Sequence, residues 1–312
     1  MGRRNLLLCF DAFGTLFHPK RPIAEQYTAV ARQCGLDGFS TEQVHTSFRT
    51  AFSRESKAHP NYGKASGMGA KKWWTTVIHN TFRPLVGPGR ELPQDLAPRL
   101  LHRFCTGEGY TLSPGVTSLL RSTKQQQRQQ TSSQIVVGVI TNSDDRVPGI
   151  LSSLGLRVSP LRVGSTISLA KVADQQYDID LHCMSYDVGF EKPDRRIFDA
   201  AEETANQLAA AQRGTEPGRD GERAKEAAPW LKLYVGDEYK KDVLGARGAG
   251  WNSVFVGTDE NVPGQENLLG LPQLNDKTLD EVFPQGAPPV TIRAESTQEL
   301  LEWLGEQYAR GG

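Results

Sequence analysis

Short, mostly apolar runs recur along the chain, separated by longer stretches in which apolar residues return with a helical period. Five such runs lie at 6–10, 135–140, 181–184, 232–236 and 251–256. Continuous apolar runs of this length are typical of strands that are covered on both faces of a sheet. From residue 113 onward the runs alternate with helical segments, which predicts a parallel, doubly wound sheet.

The segment from 18 to 111 carries no strand signal. Apolar residues recur there at spacings of three and four in stretches at 23–34, 41–52, 73–78 and 96–104. Ser40 and Gln43 form a capping box at the start of the second stretch. We therefore predict that a helical insert separates the first strand from the rest of the sheet.

These patterns predict a discontinuous domain organisation in an α/β protein. A Rossmann-like, doubly wound parallel sheet is expected from residues 1–17 and 112–312, and an inserted α-helical cap domain from residues 18–111. Two stretches, 121–134 and 213–229, are rich in Gln and Ser or in Gly, Pro and charged residues. Such compositions predict surface loops.

Composition narrows the class of protein without identifying a function. The 312 residues are 38% hydrophobic and 23% charged, which is ordinary for a soluble globular protein. Lys plus Arg equals Asp plus Glu at 36 each, so no nucleic-acid or anionic-membrane partner is predicted. The four cysteines lack the spacing of a metal or redox site, which favours reduced thiols. The first apolar run is too short for a signal peptide or a transmembrane segment, so we expect a cytoplasmic protein, with the nucleus as the alternative compartment.

Acidic, hydroxyl and amino side chains stand at or just after the carboxyl ends of the predicted strands. Asp11 follows the first strand and Thr141 ends the second. Asp237 follows the fourth strand, Asp242 comes five residues later, and Lys192 lies after the third. The carboxyl ends of parallel strands meet at one edge of a sheet, where open α/β folds bind their ligands. We therefore expect these five side chains to share one crevice.

Taken alone, Asp11 could be a helix cap, a metal ligand or a nucleophile. The other residues favour a reaction with an anionic group. A carboxylate that attacks phosphorus requires a divalent cation to offset the repulsion between two anions. Asp237 and Asp242 offer the hard oxygen ligands that Mg²⁺ prefers. Thr141 and the amides after it can hold the transferred group, and Lys192 can neutralise developing charge.

Four motifs in order carry a resemblance to a known family. They are Asp-x-x-Gly-Thr-Leu from residue 11, an apolar strand followed by Thr-Asn at 141–142, Lys-Pro-Asp at 192–194, and Gly-Asp-x-x-x-x-Asp at 236–242. Their order and spacing resemble the haloacid dehalogenase superfamily of hydrolases. Within it, the loop His-Pro-Asn-Tyr-Gly at 59–63, followed by Lys-Trp-Trp at 72–74, resembles the branch that contains haloacid dehalogenase-like hydrolase domain-containing protein 3.

The resemblance implies a role for each matching residue. Asp11 corresponds to the nucleophile, and Thr141 and Lys192 correspond to groups that stabilise the transition state. Mg²⁺ binding is implied for Asp11, the backbone carbonyl of Phe13, Asp237 and, directly or through water, Asp242. Substrate or phosphate binding is implied for Thr15, Thr141, Asn142 and Lys192. The helical insert corresponds to a mobile cap that closes over a small-molecule substrate and excludes water during the first step.

Phe13 departs from the pattern of the superfamily's phosphatases. Those enzymes usually have Asp at this position, which protonates the leaving oxygen and then activates water. Losing a positioned acid–base group typically lowers the rate by roughly 10²–10⁴-fold. The superfamily's dehalogenases carry an aromatic residue, Tyr, at this position and work without metal, whereas Asp237 and Asp242 favour a metal.

Three hypotheses follow for the function. The first is Mg²⁺-dependent hydrolysis of a phosphoric ester through an aspartyl intermediate, with reduced or specialised activity because of Phe13. The second is a metal-independent 2-haloacid dehalogenase, since a halide leaves without a proton. The third is a non-catalytic protein that keeps the fold in order to bind a ligand or another protein.

Overall fold

The chain forms two compact units. The structure, a computed structural model, describes residues 4–87, 89–128, 134–214, 229–257, 271–274 and 277–309. The sheet unit comprises Met1–Phe17, Leu112–Asn142 and Gly155–Gly312, and the helical unit comprises His18–Thr111 and Ser143–Leu154. The sequence pattern placed residues 143–154 with the sheet, whereas in the structure they pack with the helices.

A six-stranded parallel sheet forms the core of the sheet unit. In spatial order its strands are β5 (Leu181–Met184), β4 (Ile135–Thr141), β1 (Asn5–Phe10), β6 (Trp230–Gly236), β7 (Asn252–Val256) and β8 (Thr291–Ala294). Two short strands, β2 (Phe17–Pro19) and β3 (Tyr110–Leu112), form a separate two-stranded sheet. The predicted α/β fold with a parallel sheet is confirmed.

Helices connect the strands and build the insert. In chain order they are α1 (Ile23–Gln33), α2 (Thr41–Ala58), α3 (Pro60–Gly63), α4 (Ala70–Phe82), α5 (Leu96–Phe104), α6 (Val116–Arg128), α7 (Val147–Ser153), α8 (Leu169–Ala173), α9 (Ser185–Val188), α10 (Arg195–Gln212), α11 (Leu244–Gly248), α12 (Leu279–Val282) and α13 (Thr297–Ala309). A 3₁₀ turn covers Arg83–Leu85, and a π-helical turn covers Tyr239–Val243. The predicted capping box of α2 is present, because Ser40 and Gln43 bond each other's backbone amides.

Strand β1 lies at the centre of the sheet, between β4 and β6. Its residues Leu6 to Phe10 are fully buried. An interior strand of a parallel sheet has both faces covered, and this explains why its sequence is continuously apolar rather than alternating. The centre of the sheet is therefore the part of the fold that the apolar pattern predicts most directly.

The sheet has one more strand than the apolar pattern predicts. The apolar pattern predicts the run at 251–256 as the last strand of the chain. This is wrong, because β8 follows it and pairs with β7. Strand β8 has only four residues, one of them the polar Arg293. A segment this short gives too little periodicity to distinguish a strand from a loop.

One predicted loop is partly a helix. Residues 121–128 belong to α6, so the loop prediction for 121–134 is wrong over this part. Arg121 and Lys124 on this helix form ion pairs with carboxylates far along the chain, and composition does not reveal such contacts. Most of the loop predicted at 213–229 lies outside the described residues.

Residues 143–154 join the helical unit through Asp144 and Arg146. Asp144 accepts hydrogen bonds from Trp74 Nε1 at 2.6 Å and from Arg146 Nε at 2.7 Å. The Arg146 guanidinium also lies over the Trp74 ring, 4.3 Å from its centroid. Asp144 is fully buried, and a buried carboxylate needs partners of this kind. These contacts explain why the segment packs with the helices.

All four cysteines are among the described residues, and all are free thiols, as their spacing predicts. Cys9 and Cys183 are buried, whereas Cys34 and Cys105 are partly exposed. Within the described ranges, no helix is both long and apolar enough to cross a membrane.

Candidate active site

Three neighbouring strands bring the predicted site residues to one edge of the sheet. Asp11 follows β1, Thr141 ends β4 and Asp237 follows β6, and β1 pairs with both of the other strands. Asp11 and Thr141 are buried, with 7% and 2% of their surface exposed. The structure therefore places these three side chains at the carboxyl edge, where the sequence predicts a site.

Two glycines let the acidic side chains approach the backbone closely. Gly14 has φ +81°, and a Cβ at this position would collide with the Asp237 carboxylate. A Cβ at Gly236 would collide with Asp242 in the same way. Any larger residue at either position would displace a site carboxylate, since both glycines lie against its side chain.

Asp242 is held by the π-helical turn that follows β6. The Asp242 backbone amide donates to the Glu238 carbonyl at 2.7 Å, and the Asp242 carboxylate accepts from the Glu238 amide at 2.8 Å. π-Helical turns such as Tyr239–Val243 are rare and occur frequently at functional sites. The turn keeps Asp242 almost fully buried beside the sheet edge.

Asp11, Asp237 and Asp242 form a compact cluster of carboxylates. One oxygen from each lies within 4.8 Å of the others. Burial and the charges of the other two carboxylates raise the pKa of Asp237 to about 6. Burial also raises the pKa of Asp242, although Lys192 acts in the opposite direction. Like charges this close disfavour ionisation, so the cluster favours a bound cation.

Lys192 contributes a positive charge to the cluster. Its Nζ lies 3.0 Å from Asp11 Oδ1 and 2.7 Å from Asp242 Oδ1. Burial lowers the pKa of Lys192, but the two carboxylates outweigh this and the pKa is raised overall. The ammonium is thus charged at neutral pH and lies between the first and last members of the carboxylate cluster.

Thr15 and Asn142 bond to other site residues. Thr15 Oγ1 donates to Asp237 Oδ1 at 3.0 Å. Asn142 Oδ1 accepts from the Lys192 amide at 2.7 Å, and its Nδ2 donates to the Lys192 carbonyl at 3.0 Å. These hydrogen bonds hold the Asp237 carboxylate and the Lys192 backbone in place. The substrate-binding role that the resemblance implies for Thr15 and Asn142 stays a prediction.

Phe13 lies in the loop between the nucleophile candidate and β2. Its ring packs edge-to-face on Phe17, with the ring centroids 4.7 Å apart. A hydrocarbon ring cannot donate or accept a proton, so the side chain of Phe13 supplies neither acid nor base. Its backbone carbonyl is unaffected by the identity of the side chain.

Sequence reasoning missed three hydroxyl groups around the site. Ser113 Oγ and Thr297 Oγ1 donate to the Thr15 carbonyl at 2.7 Å and 3.0 Å. Tyr234 on β6 contacts Lys192 Nζ through its hydroxyl at 2.7 Å. Tyr234 had a partial signal, since a tyrosine in a strand predicted to be buried needs a partner for its hydroxyl, although the sequence does not show which partner.

The donor set fits a small divalent cation. In an octahedral Mg²⁺ site with bonds of about 2.1 Å, ligand oxygens lie about 3 Å apart at adjacent positions and about 4.2 Å apart at opposite ones. The 4.8 Å within which the three carboxylate oxygens lie is close to this range. All three are hard oxygen donors, which suit Mg²⁺ better than softer metals.

Comparisons with known proteins identify the family of the chain. The family model for haloacid dehalogenase-like hydrolases matches residues 6–250. An uncharacterised hydrolase of Schizosaccharomyces pombe is 31% identical over 255 residues, which are 82% of this chain and 92% of that protein. Haloacid dehalogenase-like hydrolase domain-containing protein 3 of Danio rerio is 30% identical over 274 residues, which are 88% of this chain and 93% of that protein.

The solved structures that are similar to this chain include a 2-haloacid dehalogenase from Pseudomonas syringae pv. Tomato DC3000. That protein is 18% identical to this chain, and the match has a TM-score of 0.48 and covers 97% of this chain and 99% of that chain. The sequence comparisons carry the assignment, because the family model spans most of the chain and two relatives reach 30% identity over more than two thirds of it. The chain belongs to the haloacid dehalogenase-like hydrolase family.

Proposed function

We propose that this hydrolase is a Mg²⁺-dependent phosphatase that acts on a small phosphoric ester through an aspartyl-phosphate on Asp11. The observation that carries the proposal is a charge imbalance. Asp11, Asp237 and Asp242 lie within 4.8 Å of one another, and Lys192 contacts two of them. Three carboxylates against one ammonium leave excess negative charge, which a divalent cation would offset.

The reaction would proceed in two steps. The Asp11 carboxylate forms a bond to phosphorus as the ester oxygen leaves, and water then cleaves the acyl phosphate, releasing orthophosphate and restoring Asp11. When bound, Mg²⁺ supplies the positive charge that lets an anionic nucleophile approach an anionic ester. The proposed ligands are Asp11, the backbone carbonyl of Phe13, Asp237 and Asp242.

The remaining site residues would stabilise the transferred group. We assign the binding of phosphoryl oxygens to the Thr141 hydroxyl, to the amides after it and to Lys192 Nζ. The contacts of Thr15 and Asn142 favour a role in holding Asp237 and the Lys192 backbone. We also propose that the helical unit acts as a cap over a small-molecule substrate.

A metal-independent 2-haloacid dehalogenase is the second candidate, and Phe13 is the observation that favours it. The Phe13 side chain packs on Phe17 and has no acid or base to offer. A halide leaves without a proton, so this chemistry does not need an acid at that position. Asp11 would then attack carbon instead of phosphorus. The carboxylate cluster favours the phosphatase, because three carboxylates against one ammonium leave excess negative charge that a divalent cation would offset.

An assay with p-nitrophenyl phosphate tests the proposal, since nitrophenolate is a leaving group that needs no protonation. Wild type is compared with Asp11→Asn in Mg²⁺ and in EDTA. We expect turnover by wild type in Mg²⁺, at least about 10³-fold less in Asp11→Asn, and none in EDTA. Release of halide from 2-chloropropionate in EDTA would instead identify the dehalogenase.

Phe13→Asp distinguishes a weak enzyme from a non-catalytic protein. If wild type turns over the activated ester, Phe13→Asp should extend activity to alkyl phosphates, whose leaving oxygen requires a proton. If wild type releases neither phosphate nor halide and only Phe13→Asp gains turnover, the protein uses its fold for binding and the phosphatase proposal fails.

A further inference from the structure

A buried tyrosine hydroxyl lies between Lys192 and the end of β4. Tyr234 on β6 is fully buried. Its hydroxyl lies 2.7 Å from the Ile140 carbonyl and 2.7 Å from Lys192 Nζ. Ile140 directly precedes Thr141, so one hydroxyl joins the segments that carry two proposed catalytic residues.

The direction of these hydrogen bonds follows from the chemistry of the groups. A carbonyl oxygen can only accept, so the Tyr234 hydroxyl proton is donated to Ile140. An ammonium can only donate, so the Tyr234 oxygen accepts from Lys192. Asp242 Oδ1 lies farther from the hydroxyl, at 3.4 Å, and competes only weakly for its proton.

The three N–H groups of Lys192 are matched by three acceptors. Asp11 Oδ1, Asp242 Oδ1 and the Tyr234 hydroxyl lie 3.0, 2.7 and 2.7 Å from Nζ. The acceptors come from the residue that follows β1, from the π-helical turn and from β6, which are separate parts of the fold. A lysine side chain has several rotatable bonds, and contacts in three directions restrict its terminal nitrogen to one position.

We propose that Tyr234 is a positioning residue that fixes the Lys192 ammonium for reaction at Asp11. The inference rests on the proposed function, because Lys192 must serve the reaction for its position to matter. A purely structural role does not account for the hydroxyl. Lys232 on the same strand is partly exposed and pairs with Glu202, whereas Tyr234 is fully buried. Phenylalanine would fill the space of Tyr234 without burying a polar group.

The substitution Tyr234→Phe tests this role with little effect on packing. The ring keeps its edge-to-face contact with Phe198, where the centroids are 5.1 Å apart. We expect kcat for p-nitrophenyl phosphate in Mg²⁺ to fall about 10-fold and KM to change by less than about 2-fold, since charge stabilisation is lost and substrate binding is not.

Thr291→Val is a matched control. It removes a buried hydroxyl from the same sheet, and that hydroxyl bonds to Ser253 and not to a site residue. We expect its kcat to equal that of wild type. A loss of kcat in Thr291→Val as large as in Tyr234→Phe would overturn the proposal, because any buried hydroxyl would then have the same effect. An unchanged kcat in Tyr234→Phe would also overturn it.

A second readout does not depend on turnover. We expect the buried Lys192 ammonium to give a slowly exchanging ¹⁵Nζ signal in NMR, to be assigned by its loss in Lys192→Gln. We expect faster hydrogen exchange at this nitrogen in Tyr234→Phe and none of this change in Thr291→Val. If wild type shows no turnover, the proposed function fails. The exchange rate then tests the contact between Tyr234 and Lys192 by itself, and an exchange rate that is unchanged in Tyr234→Phe would contradict that contact.

Discussion

Two groups of buried carboxylates lie at opposite ends of the parallel sheet. At the amino end, Asp178 is contacted by Arg121 and Arg157, and Asp180 by Lys124. Burial raises the pKa of Asp178, but hydrogen bonds from the two arginines outweigh this and lower it to about 2. Each carboxylate in this amino-end cluster has at least one cationic partner.

The carboxyl-end cluster of Asp11, Asp237 and Asp242 differs in its charge balance. Lys192 contacts Asp11 and Asp242, and the pKa of Asp237 is raised to about 6 by burial and by the other two carboxylates. Asp178 is thus stabilised as an anion, whereas Asp237 is destabilised as one. Within the amino-end cluster, burial raises the pKa of Asp180, although Lys124 acts in the opposite direction. Cationic side chains of the protein contact both amino-end carboxylates, whereas we propose that a bound cation balances the carboxyl-end cluster.

Asp237→Asn should give the largest effect in this comparison. It removes one proposed Mg²⁺ ligand, so we expect turnover of p-nitrophenyl phosphate to fall at least about 100-fold. The folded state should not be weakened, because the substitution relieves repulsion. Asp199→Asn is the control, since this partly exposed carboxylate pairs with Arg195 one helical turn away and with no other cation among the described residues. Normal turnover in Asp237→Asn would contradict the metal-ligand assignment.

Asp178→Asn should show the opposite behaviour. It removes the shared partner of two arginines, and we expect the free energy of unfolding to fall by about 2 kcal/mol. The loss is smaller than for a fully buried pair, because both arginines are 42–49% exposed and water can solvate them. Urea denaturation measures the change, and turnover per folded molecule should equal that of wild type. A stability equal to that of Asp199→Asn would show that the amino-end cluster is not needed for the fold.

The smallest effect in this comparison is expected in the pH dependence of the free energy of unfolding, which should differ between the two clusters. In EDTA, Asp237 has a folded pKa of about 6 against about 3.9 when unfolded. The folded state therefore binds more protons between these values, and its stability falls as pH rises from about 4 to about 6. We expect Asp237→Asn to match wild type at pH 4 and to exceed it by about 1–2 kcal/mol at pH 7.

Asp178 should act in a different pH window. Its folded pKa of about 2 lies below the unfolded value of about 3.9, so its contribution is present above pH 4 and is lost as pH falls toward 2. Denaturation of wild type and Asp178→Asn between pH 2 and 4 measures this. A difference between the two proteins that grows as the pH falls would reverse the expected sign and refute the assignment.

The site residues could be found from the sequence because each stands at a recognisable boundary. Asp11, Thr141 and Asp237 follow apolar runs that need no tertiary information to be read as buried strands. Their convergence then follows from parallel topology alone. The contacts of Tyr234 and Thr297 could not be found in this way, because nothing local marks which partner a buried hydroxyl will meet.

The sequence by itself determined the class of the fold and the central strands, and it predicted which candidate site residues meet at the carboxyl edge of the sheet. These depend on periodicity and short motifs, which act over a few residues. The tertiary structure decided which groups touch: Thr15 meets Asp237 across 222 positions and Thr297 across 282. It also decided that residues 143–154 pack with the helices and that 121–128 form a helix. Such outcomes depend on the free energy of contacts between distant segments, and strand order, not local pattern, brings those segments together.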